Sequence, residues 1–523
     1  MSSTDPNRSL KSYILFAPPN IQLMVLLGAA IALRLAWLVY TNYTYEDAFI
    51  TFRYARNLVS GHGFVFNVGE RIYGTTTPLF TLLLAGWLIV FPENVILGAR
   101  GFDLLAALGS LTLVWVLLSE LEIKTPLRIA VLLLLAISDK LWERDTGGME
   151  TPLVIFLMIA ALYAVAQNKS LVAGIIAGML LWTRIDTAIW VAVLIFVAWY
   201  VNRRPSIRLI LTVGLTYLPW LAFATLYFGS SIPYTVTAKW TAYQLGSNPT
   251  PWLDRLLVVL KWVTPVSIPI EWSSGQLIVG TITIALAVYG AFAVRRSTIL
   301  MVLPVFGLLE LVSLVSVGAV FEPRYFVPLY WTILLLVGLG LGTIWRRGFS
   351  TVIGQRVIAG LLFVTGLFGF WLIIQRAHYI RDYQLHVYDS SLKPLGLWLN
   401  EHTPPNATVL LEPLGYAGFY ANRYMIDEVG LVSPQVVALK RQGVKDKLTL
   451  ILLLKPDYAV VHCDDIFYRL EKADSIAADF AFRYQWMVTF NPLNFTPQSS
   501  SPEDSNQFRI QRNACYEVWQ LHR

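Results

Sequence analysis

Cysteine and charge are scarce in this chain. Two of its 523 residues are cysteines, Cys463 and Cys515, and their spacing is unlike that of metal ligands. Charged residues make up 14% of the sequence, whereas ordinary soluble domains carry roughly 25%. The sequence therefore argues against a cysteine-ligated metal site and against an ordinary soluble protein.

Apolar residues are correspondingly abundant, at 56% of the chain with a mean hydropathy of +0.57. Most basic residues lie in short loops between apolar runs, so the net charge of +7 indicates membrane orientation rather than nucleic-acid binding. Twelve apolar segments are long enough, or nearly so, to cross a bilayer core of roughly 30 Å: 21–40, 77–91, 102–119, 127–138, 152–166, 171–185, 187–201, 208–226, 276–294, 298–317, 326–344 and 355–375.

The basic loops indicate which segments cross. Loops 201–208, 294–297 and 345–348 lie on the same side as the N-terminus only if segment 77–91 does not cross. That segment is short and follows a glycine-containing turn, which is typical of a surface or re-entrant helix. We therefore predict a polytopic α-helical membrane protein with eleven transmembrane helices, a cytoplasmic N-terminus and a long first outer loop, residues 41–100.

The last part of the chain differs from the rest. Residues 1–376 form the predicted transmembrane domain, and residues 377–523 alternate strand-like and helix-like runs, ending in the strand-like runs "YQWMVTF" and "CYEVWQL". This pattern predicts a small α/β domain. The topology places that domain outside the cytoplasm, where a Cys463–Cys515 disulfide is permitted.

Polar residues collect on the predicted outer side. Ionisable side chains near membrane depth are costly and usually mark function. The candidates are Glu46, Asp47, Arg53, Tyr54, Glu70, Arg144, Glu150, Arg184, Asp186, Tyr234, Lys239 and Arg324.

Structural alternatives stay open for several of these residues. Thr44 and Asp47 fit a capping box at a helix start. Arg184 and Asp186 could pair with each other, and Lys239 could extend to the membrane interface. Glu150 could be a solvated loop residue.

Acids and bases gathered at one bilayer interface suit a reaction between a lipid-borne phosphate and a polar acceptor. A carboxylate would take the acceptor proton, and arginine or lysine would stabilise the departing phosphate. The phosphate would lie near Lys239, Arg184 or Arg324. A transporter or flippase would instead place polar residues in mid-span and show internal repeats.

Several stretches carry a family resemblance: "EDAFITFRYARNLVSGHGFVFNVGERIYGTTTPL", "TGGMETPL", "TRID", "LYFGSSIPYTVTAKW", "EPRYFVPL" and "MIDEVGLV". They span residues 41 to about 435. The chain resembles the GT-C class of integral-membrane glycosyltransferases, and among these the terminal arabinofuranosyltransferase-like group. Such enzymes use polyprenyl-phosphate sugars and carry an acidic pair in the first outer loop.

The resemblance implies a role for each matching residue. Asp47, with Glu46, would be the catalytic base, and the pair could hold a divalent metal ion such as Mg²⁺, Mn²⁺ or Ca²⁺. Arg100 would contact the donor phosphate, and the first outer loop would contain amphipathic helices. The family pattern often has two aspartates, whereas this chain has Glu46 before Asp47.

The combined prediction is an inverting glycosyltransferase at the outer face of a bacterial-type plasma membrane. It would move a sugar from a polyprenyl-phosphate donor to a cell-envelope glycan or lipid acceptor. Remaining candidates for substrate contact are Arg53, Tyr54, Glu70, Glu150, Asp186 and Tyr234. The rival hypotheses are a transporter or flippase of lipid-linked sugars and a non-catalytic partner with the same fold.

Two tail motifs allow a structural role or a functional one. "HCDDIF", residues 462–467, could bind metal, although a strand that ends in a loop is the favoured interpretation. Asp427 and Glu428 could contact the acceptor, although a structural role is favoured.

Overall fold

The structure is a computed structural model that describes residues 21–244, 251–269, 272–317, 323–348, 352–495 and 506–522. Glu322 of the "EPRY" motif lies outside these residues. The described part up to residue 383 contains sixteen α-helices: α1 (Ile21–Thr41), α2 (Ala48–Val59), α3 (Pro78–Val90), α4 (Val95–Glu120), α5 (Thr125–Ile137), α6 (Asp139–Asp145), α7 (Thr151–Ala166), α8 (Ser170–Thr183), α9 (Ala188–Asn202), α10 (Ile207–Phe228), α11 (Tyr234–Gln244), α12 (Trp252–Trp262), α13 (Ser273–Val294), α14 (Val302–Val317), α15 (Pro323–Gly348) and α16 (Val352–Tyr383).

The eleven segments predicted to cross the membrane correspond, in chain order, to helices α1, α4, α5, α7, α8, α9, α10, α13, α14, α15 and α16. Among the described residues, six helical segments are both long and apolar enough to span a bilayer: Ile21–Thr41, Val95–Glu120, Ile185–Asn202, Ile207–Phe228, Ser273–Val294 and Arg324–Ile344. The prediction of a helical membrane protein is confirmed. Crossing by the remaining, shorter helices stays a prediction.

Helix α3 matches the segment predicted to lie on the membrane surface. Its 13 residues extend over roughly 20 Å, which is less than the thickness of a bilayer core. It packs against α2 and α4. The first loop is therefore a folded layer of two helices, α2 and α3, at one end of the bundle.

Helix α15 is the centre of the bundle and packs against α5 and α13. Glycine makes this packing close: a Cβ on Gly290 would lie 1.9 Å from the carbonyl oxygen of Leu336. Small residues commonly let membrane helices approach in this way. Near the start of α15, Phe326 stacks on Trp262 of α12 with ring centroids 5.5 Å apart. This contact brings α12 to the same end of the bundle as Arg324.

A buried ion pair fixes the short helix α6. Arg34, in the middle of α1 and 1% exposed, donates from Nε to Asp145 Oδ2 at 2.8 Å. Its guanidinium also donates to the carbonyl oxygens of Leu135 and Ala136 at the end of α5. Burying two charges is favourable only when each is paired and hydrogen-bonded, so this arrangement locks α1, α5 and α6 together.

The C-terminal domain follows α16 through π-helical turns, Gln384–Leu392. Its described elements are α17 (Lys393–His402), β1 (Thr408–Leu411), α18 (Gly415–Ala421), β2 (Tyr424–Asp427), α19 (Pro434–Arg441), α20 (Lys447–Leu454), β3 (Tyr458–His462), α21 (Cys463–Glu471), α22 (Ser475–Arg483), β4 (Tyr484–Phe490), α23 (Asn506–Asn513) and β5 (Tyr516–Leu521).

One mixed sheet of five strands, in the order β2-β1-β3-β5-β4, organises this domain. β1 pairs in parallel with β2 and β3, and β5 pairs antiparallel with β3 and β4. One face of the sheet is buried against helices, where Leu410 and Val461 of the strands pack in one apolar cluster with Phe480 of α22. The predicted α/β domain is confirmed, including both late strands, β4 and β5.

The domain docks on the first loop. Asn67 exchanges two hydrogen bonds with the backbone of Met425, each 2.9 Å long. Arg53 Nη1 donates to the carbonyl oxygen of Gly418 at 2.8 Å. The first loop and the C-terminal domain therefore lie on the same side of the bundle, as the predicted topology requires.

The tail motifs have structural roles. Cys463 and Cys515 form a disulfide that joins the starts of α21 and β5. His462 ends β3 and forms a capping box with Asp465 at the start of α21, so a helix follows where a loop was expected. Asp427 is fully buried and accepts backbone hydrogen bonds from Gly430 and Val432.

Candidate active site

The acidic pair lies in a tight connection between α1 and α2. Arg100 of α4 holds this connection, because its Nη2 donates to the carbonyl oxygen of Asn42 and to Thr44 Oγ1, both at 2.8 Å. Helix α2 begins at Ala48, with Asp47 as the N-cap residue. The capping-box interpretation with Thr44 as the cap is therefore wrong. Arg100 therefore stabilises the backbone just before the acidic pair.

Asp47 is paired with an arginine. Arg324 Nη1 lies 2.7 Å from Asp47 Oδ2, and the side chain of Asp47 keeps 28% of its surface exposed. Burial acts to raise the pKa of Asp47, but the positive charges of Arg324 and Lys239 outweigh it and hold the pKa below its usual range. Asp47 is thus a carboxylate at neutral pH.

Glu46 lies in a different environment. Its Oε1 accepts hydrogen bonds from two backbone N–H groups of α18, those of Gly415 and Tyr416, the latter at 2.9 Å. Burial and the adjacent charge of Asp47 raise the pKa of Glu46 to about 8. Two neighbouring carboxyl groups whose pKa values are pushed apart are suited to different roles.

A cavity of about 660 Å³ opens in front of the pair. Asp47, Glu46 and Glu143 provide its acidic side chains, and the aromatic side chains include those of Tyr45, Tyr383 and Tyr388. Its basic side chains come from five separate helices: Lys140, Arg144, Lys261, Arg324, Arg376 and Arg509. These six side chains form what we call the basic wall, and their positive charge would attract a phosphate group.

The charges of this wall are organised around α6. Glu143 accepts hydrogen bonds from Arg376 at 2.8 Å and from Tyr45, and the Arg144 guanidinium lies over the Tyr45 ring at 4.2 Å. Lys140 Nζ donates to Thr264 Oγ1 at 2.8 Å. Burial lowers the pKa of Lys140 to about 7.

Arg184 belongs to a network behind the cavity. It pairs with Asp186 and lies 3.7 Å from Glu150 Oε1. Its Nη1 donates to the carbonyl oxygen of Arg324 at 3.3 Å. Arg184 is therefore placed to support Arg324, and the mutual pairing of Arg184 with Asp186 is present.

Lys239 lies in a small cleft that also contains Asp47, Glu150 and Arg324. Its Nζ contacts Tyr325 Oη at 3.3 Å. Its charge acts on Asp47, although Lys239 is not among the residues that line the large cavity.

Four other predicted contacts lie in packing positions. Arg53 is 2% exposed and hydrogen-bonded to the C-terminal domain, and Tyr54 is buried with its hydroxyl donating to the carbonyl oxygen of Ile72. Glu70 accepts from Tyr424 Oη at 2.6 Å. The backbone N–H of Tyr234 donates to the carbonyl oxygen of Tyr73. These residues build the loop that surrounds the site.

The acidic pair fits a divalent cation poorly. Glu46 Oε1 faces two N–H donors, and Asp47 Oδ2 faces a guanidinium, whereas Mg²⁺ and Ca²⁺ need carboxylate oxygens that are open to the ion. Among the described residues, no three His, Cys, Asp or Glu side chains form a group suited to a metal ion.

Sequence reasoning missed most of the basic wall. Lys140, Lys261, Arg376 and Arg509 lie far apart in the chain, and none of them belongs to a motif that the sequence singled out. The available signal was positional: residues 139–145 carry five charged residues directly after a predicted span.

Comparison with known proteins supports the fold. The chain is similar to the crystal structure of ArnT from Cupriavidus metallidurans in the apo state, with a TM-score of 0.54, 13% identity, and coverage of 86% of this chain and 94% of that chain. Residues 378–518 match a family described as a domain of unknown function, DUF8728. None of the curated proteins matches. The predicted GT-C-like fold is confirmed, while membership of the glycosyltransferase class and of its arabinofuranosyltransferase-like group stays a prediction.

Proposed function

We propose that the protein is a glycosyltransferase that moves a sugar from a polyprenyl-phosphate donor to a glycan or lipid acceptor at the outer face of the plasma membrane. The GT-C fold supports this proposal. The observation that carries it is the position of Asp47, a partly buried carboxylate on the wall of a cavity of about 660 Å³ whose other walls are rich in arginine and lysine.

In the proposed reaction, Asp47 takes the proton of an acceptor hydroxyl. The acceptor oxygen then forms a bond to the anomeric carbon, while the bond from that carbon to the phosphate oxygen breaks. The lipid phosphate leaves with the electron pair, and the configuration at the anomeric carbon inverts. A positioned base of this kind contributes about 100- to 10,000-fold to a rate.

The basic wall is the proposed site of the donor phosphate. Arg324 joins that wall to Asp47, because it contacts the carboxylate at 2.7 Å and lines the same cavity. A phosphate bound there would compensate part of the positive charge of Arg324. The pKa of Asp47 would then rise, which would make it a stronger base once the donor is in place.

Arg100, Arg184 and Lys239 have supporting roles in this proposal. Arg100 holds the acidic loop, and Arg184 holds the backbone of Arg324. Lys239 adds positive charge beside Asp47. No metal ion is assigned to the reaction, because Glu46 Oε1 and Asp47 Oδ2 are each already engaged with hydrogen-bond donors.

The test uses the purified full-length protein in lipid nanodiscs with a panel of polyprenyl-phosphate pentoses and hexoses labelled in the sugar. We expect release of polyprenyl phosphate and transfer of label to an envelope glycan extract. Asp47→Asn should lower kcat about 100- to 10,000-fold with an unchanged melting temperature. Donor movement across the bilayer without cleavage would favour a flippase instead.

Asp474→Asn is the matched control. Asp474 is also an N-cap aspartate, and its Oδ2 lies 2.9 Å from Arg469 Nε. It directly precedes α22 in the C-terminal domain and is not among the residues that line the cavity. This variant should retain the wild-type rate, and a comparable loss in both variants would contradict a catalytic role for Asp47.

A further inference from the structure

Glu46 makes an unusual connection for a residue beside a base. Its side chain points away from α2 and binds the first turn of α18 in the C-terminal domain, 369 residues later in the chain. One oxygen, Oε1, accepts from the N–H groups of both Gly415 and Tyr416. Backbone N–H groups at a helix start have no partner within the helix, so a carboxyl group satisfies them well.

Gly415 makes this approach possible. A Cβ at this position would lie 2.1 Å from the backbone oxygen of Glu46 and 2.7 Å from its Oε1. Real side chains essentially never come so close, so α18 can reach the acidic loop only with glycine here. The contact therefore requires both glycine at position 415 and the acceptor oxygen of Glu46.

The same contact continues into the cavity wall. Tyr416 stacks on Tyr388, with ring centroids 4.9 Å apart, and its hydroxyl accepts from Gln384 Nε2 at 3.0 Å. The other end of that amide, Gln384 Oε1, accepts from the backbone N–H of Thr44 at 3.1 Å. Tyr388 lines the cavity. The position of α18 thus sets the position of cavity residues.

We propose that Glu46 is a positioning residue that docks α18 against the loop carrying Asp47, and so sets the cavity wall that the C-terminal domain supplies. Asp47 alone is then the base. The docking itself rests on geometry, whereas its effect on rate rests on the proposed glycosyltransferase function.

Two substitutions at Glu46 separate docking from catalysis. Glu46→Gln keeps an oxygen that can accept from both N–H groups, whereas Glu46→Ala removes it. We expect Glu46→Gln to keep kcat within a few-fold of wild type and Glu46→Ala to lower it about tenfold to 100-fold and raise KM, because misplacing a cavity wall by about 1 Å can cost 100-fold. An inactive Glu46→Gln would overturn the proposal, since a base cannot be replaced by an amide.

Hydrogen exchange of the full-length protein in nanodiscs gives a readout that does not depend on activity. In Glu46→Ala, the amides of residues 415–421 should exchange at least about tenfold faster than in wild type, because Gly415 and Tyr416 lose their hydrogen-bond acceptor and α18 loses its attachment to the loop. Glu46→Gln and the exposed control Glu401→Ala should match wild type. Unchanged exchange in Glu46→Ala would overturn the docking.

Gly415→Ala tests the same contact from the other side. It should speed exchange in residues 415–421 and raise KM as Glu46→Ala does, because the added Cβ pushes α18 away from the loop. Wild-type exchange and kinetics in this variant would also overturn the proposal. If the wild-type protein transfers no sugar, the proposed function fails, while the exchange experiments still decide the docking.

Discussion

At the scale of single residues, Glu46 and Asp47 show how position divides two similar side chains. They are adjacent in sequence, yet Glu46 faces two backbone N–H groups and Asp47 faces a guanidinium. The pKa of Glu46 rises to about 8, and that of Asp47 falls below its usual range. The directions of these two pKa shifts favour Asp47 rather than Glu46 as the carboxylate that accepts a proton in the proposed reaction.

The Arg324–Asp47 pair predicts a change in pH dependence. In Arg324→Met, burial of Asp47 is opposed mainly by the charge of Lys239, so the pKa of Asp47 should rise. Because the ionised form is the base, the acid limb of the kcat/KM profile should move to higher pH by the same amount. Rates measured between pH 4 and 9, with Arg469→Gln as a remote control, check this, and an unmoved limb would mean that another group is the base.

At the scale of secondary-structure elements, the short helix α6 supplies several side chains to the cavity. Its residues Lys140, Glu143 and Arg144 all line the cavity, and its last residue, Asp145, is tied to Arg34 of α1. An element of two turns has little stability of its own. The ion pair with Arg34 therefore keeps three cavity side chains in place.

A double-mutant cycle tests this tie. Arg34→Leu should destabilise the protein by ~3–5 kcal/mol, because it leaves the buried carboxylate of Asp145 unpaired. Arg34→Leu combined with Asp145→Leu should recover most of that loss, since neither charge remains buried. Unfolding followed by tryptophan fluorescence in detergent measures both, and the exposed control Arg208→Leu should change little. Additive losses would contradict a direct coupling.

At the scale of the whole molecule, the candidate active site is lined by residues of both the helical bundle and the C-terminal region. The bundle supplies Asp47, Arg324 and α6, and the C-terminal region supplies Tyr388 and Arg509. The disulfide between Cys463 and Cys515 closes a loop of 52 residues within the C-terminal domain. In the chain-entropy model, a disulfide that closes a loop of this length stabilises the folded state by about 4 kcal/mol, because it restricts the unfolded chain.

The redox state of the two cysteines provides a test of whether the C-terminal domain lies outside the cytoplasm. A disulfide persists in an oxidising compartment and is rare in the cytosol. Protein purified without reductant and denatured should therefore take up no thiol-reactive polyethylene glycol, and after reduction it should take up two, one for each cysteine. A gel shift measures this. Labelling without reductant would place the C-terminal domain on the cytoplasmic side, contrary to the predicted topology.

The sequence by itself determined the class of the protein and the location of its acidic loop. Hydropathy and loop charge are local properties, so they predicted eleven membrane segments, the surface helix α3 and the separate α/β domain. The resemblance singled out Asp47 in the same way, because the residues that surround it in the chain carry the motif.

Only the tertiary structure decided which side chains share the cavity. Lys140, Arg376 and Arg509 are more than 100 residues apart from one another, and the tertiary structure brings α6, α16 and α23 to the same cavity. The sequence instead singled out Arg53, Arg100 and Arg184, and each of these donates hydrogen bonds to backbone carbonyl oxygens. A charge that binds substrate and a charge that supports a loop differ in what packs around them, and packing is set by parts of the chain that are distant in sequence.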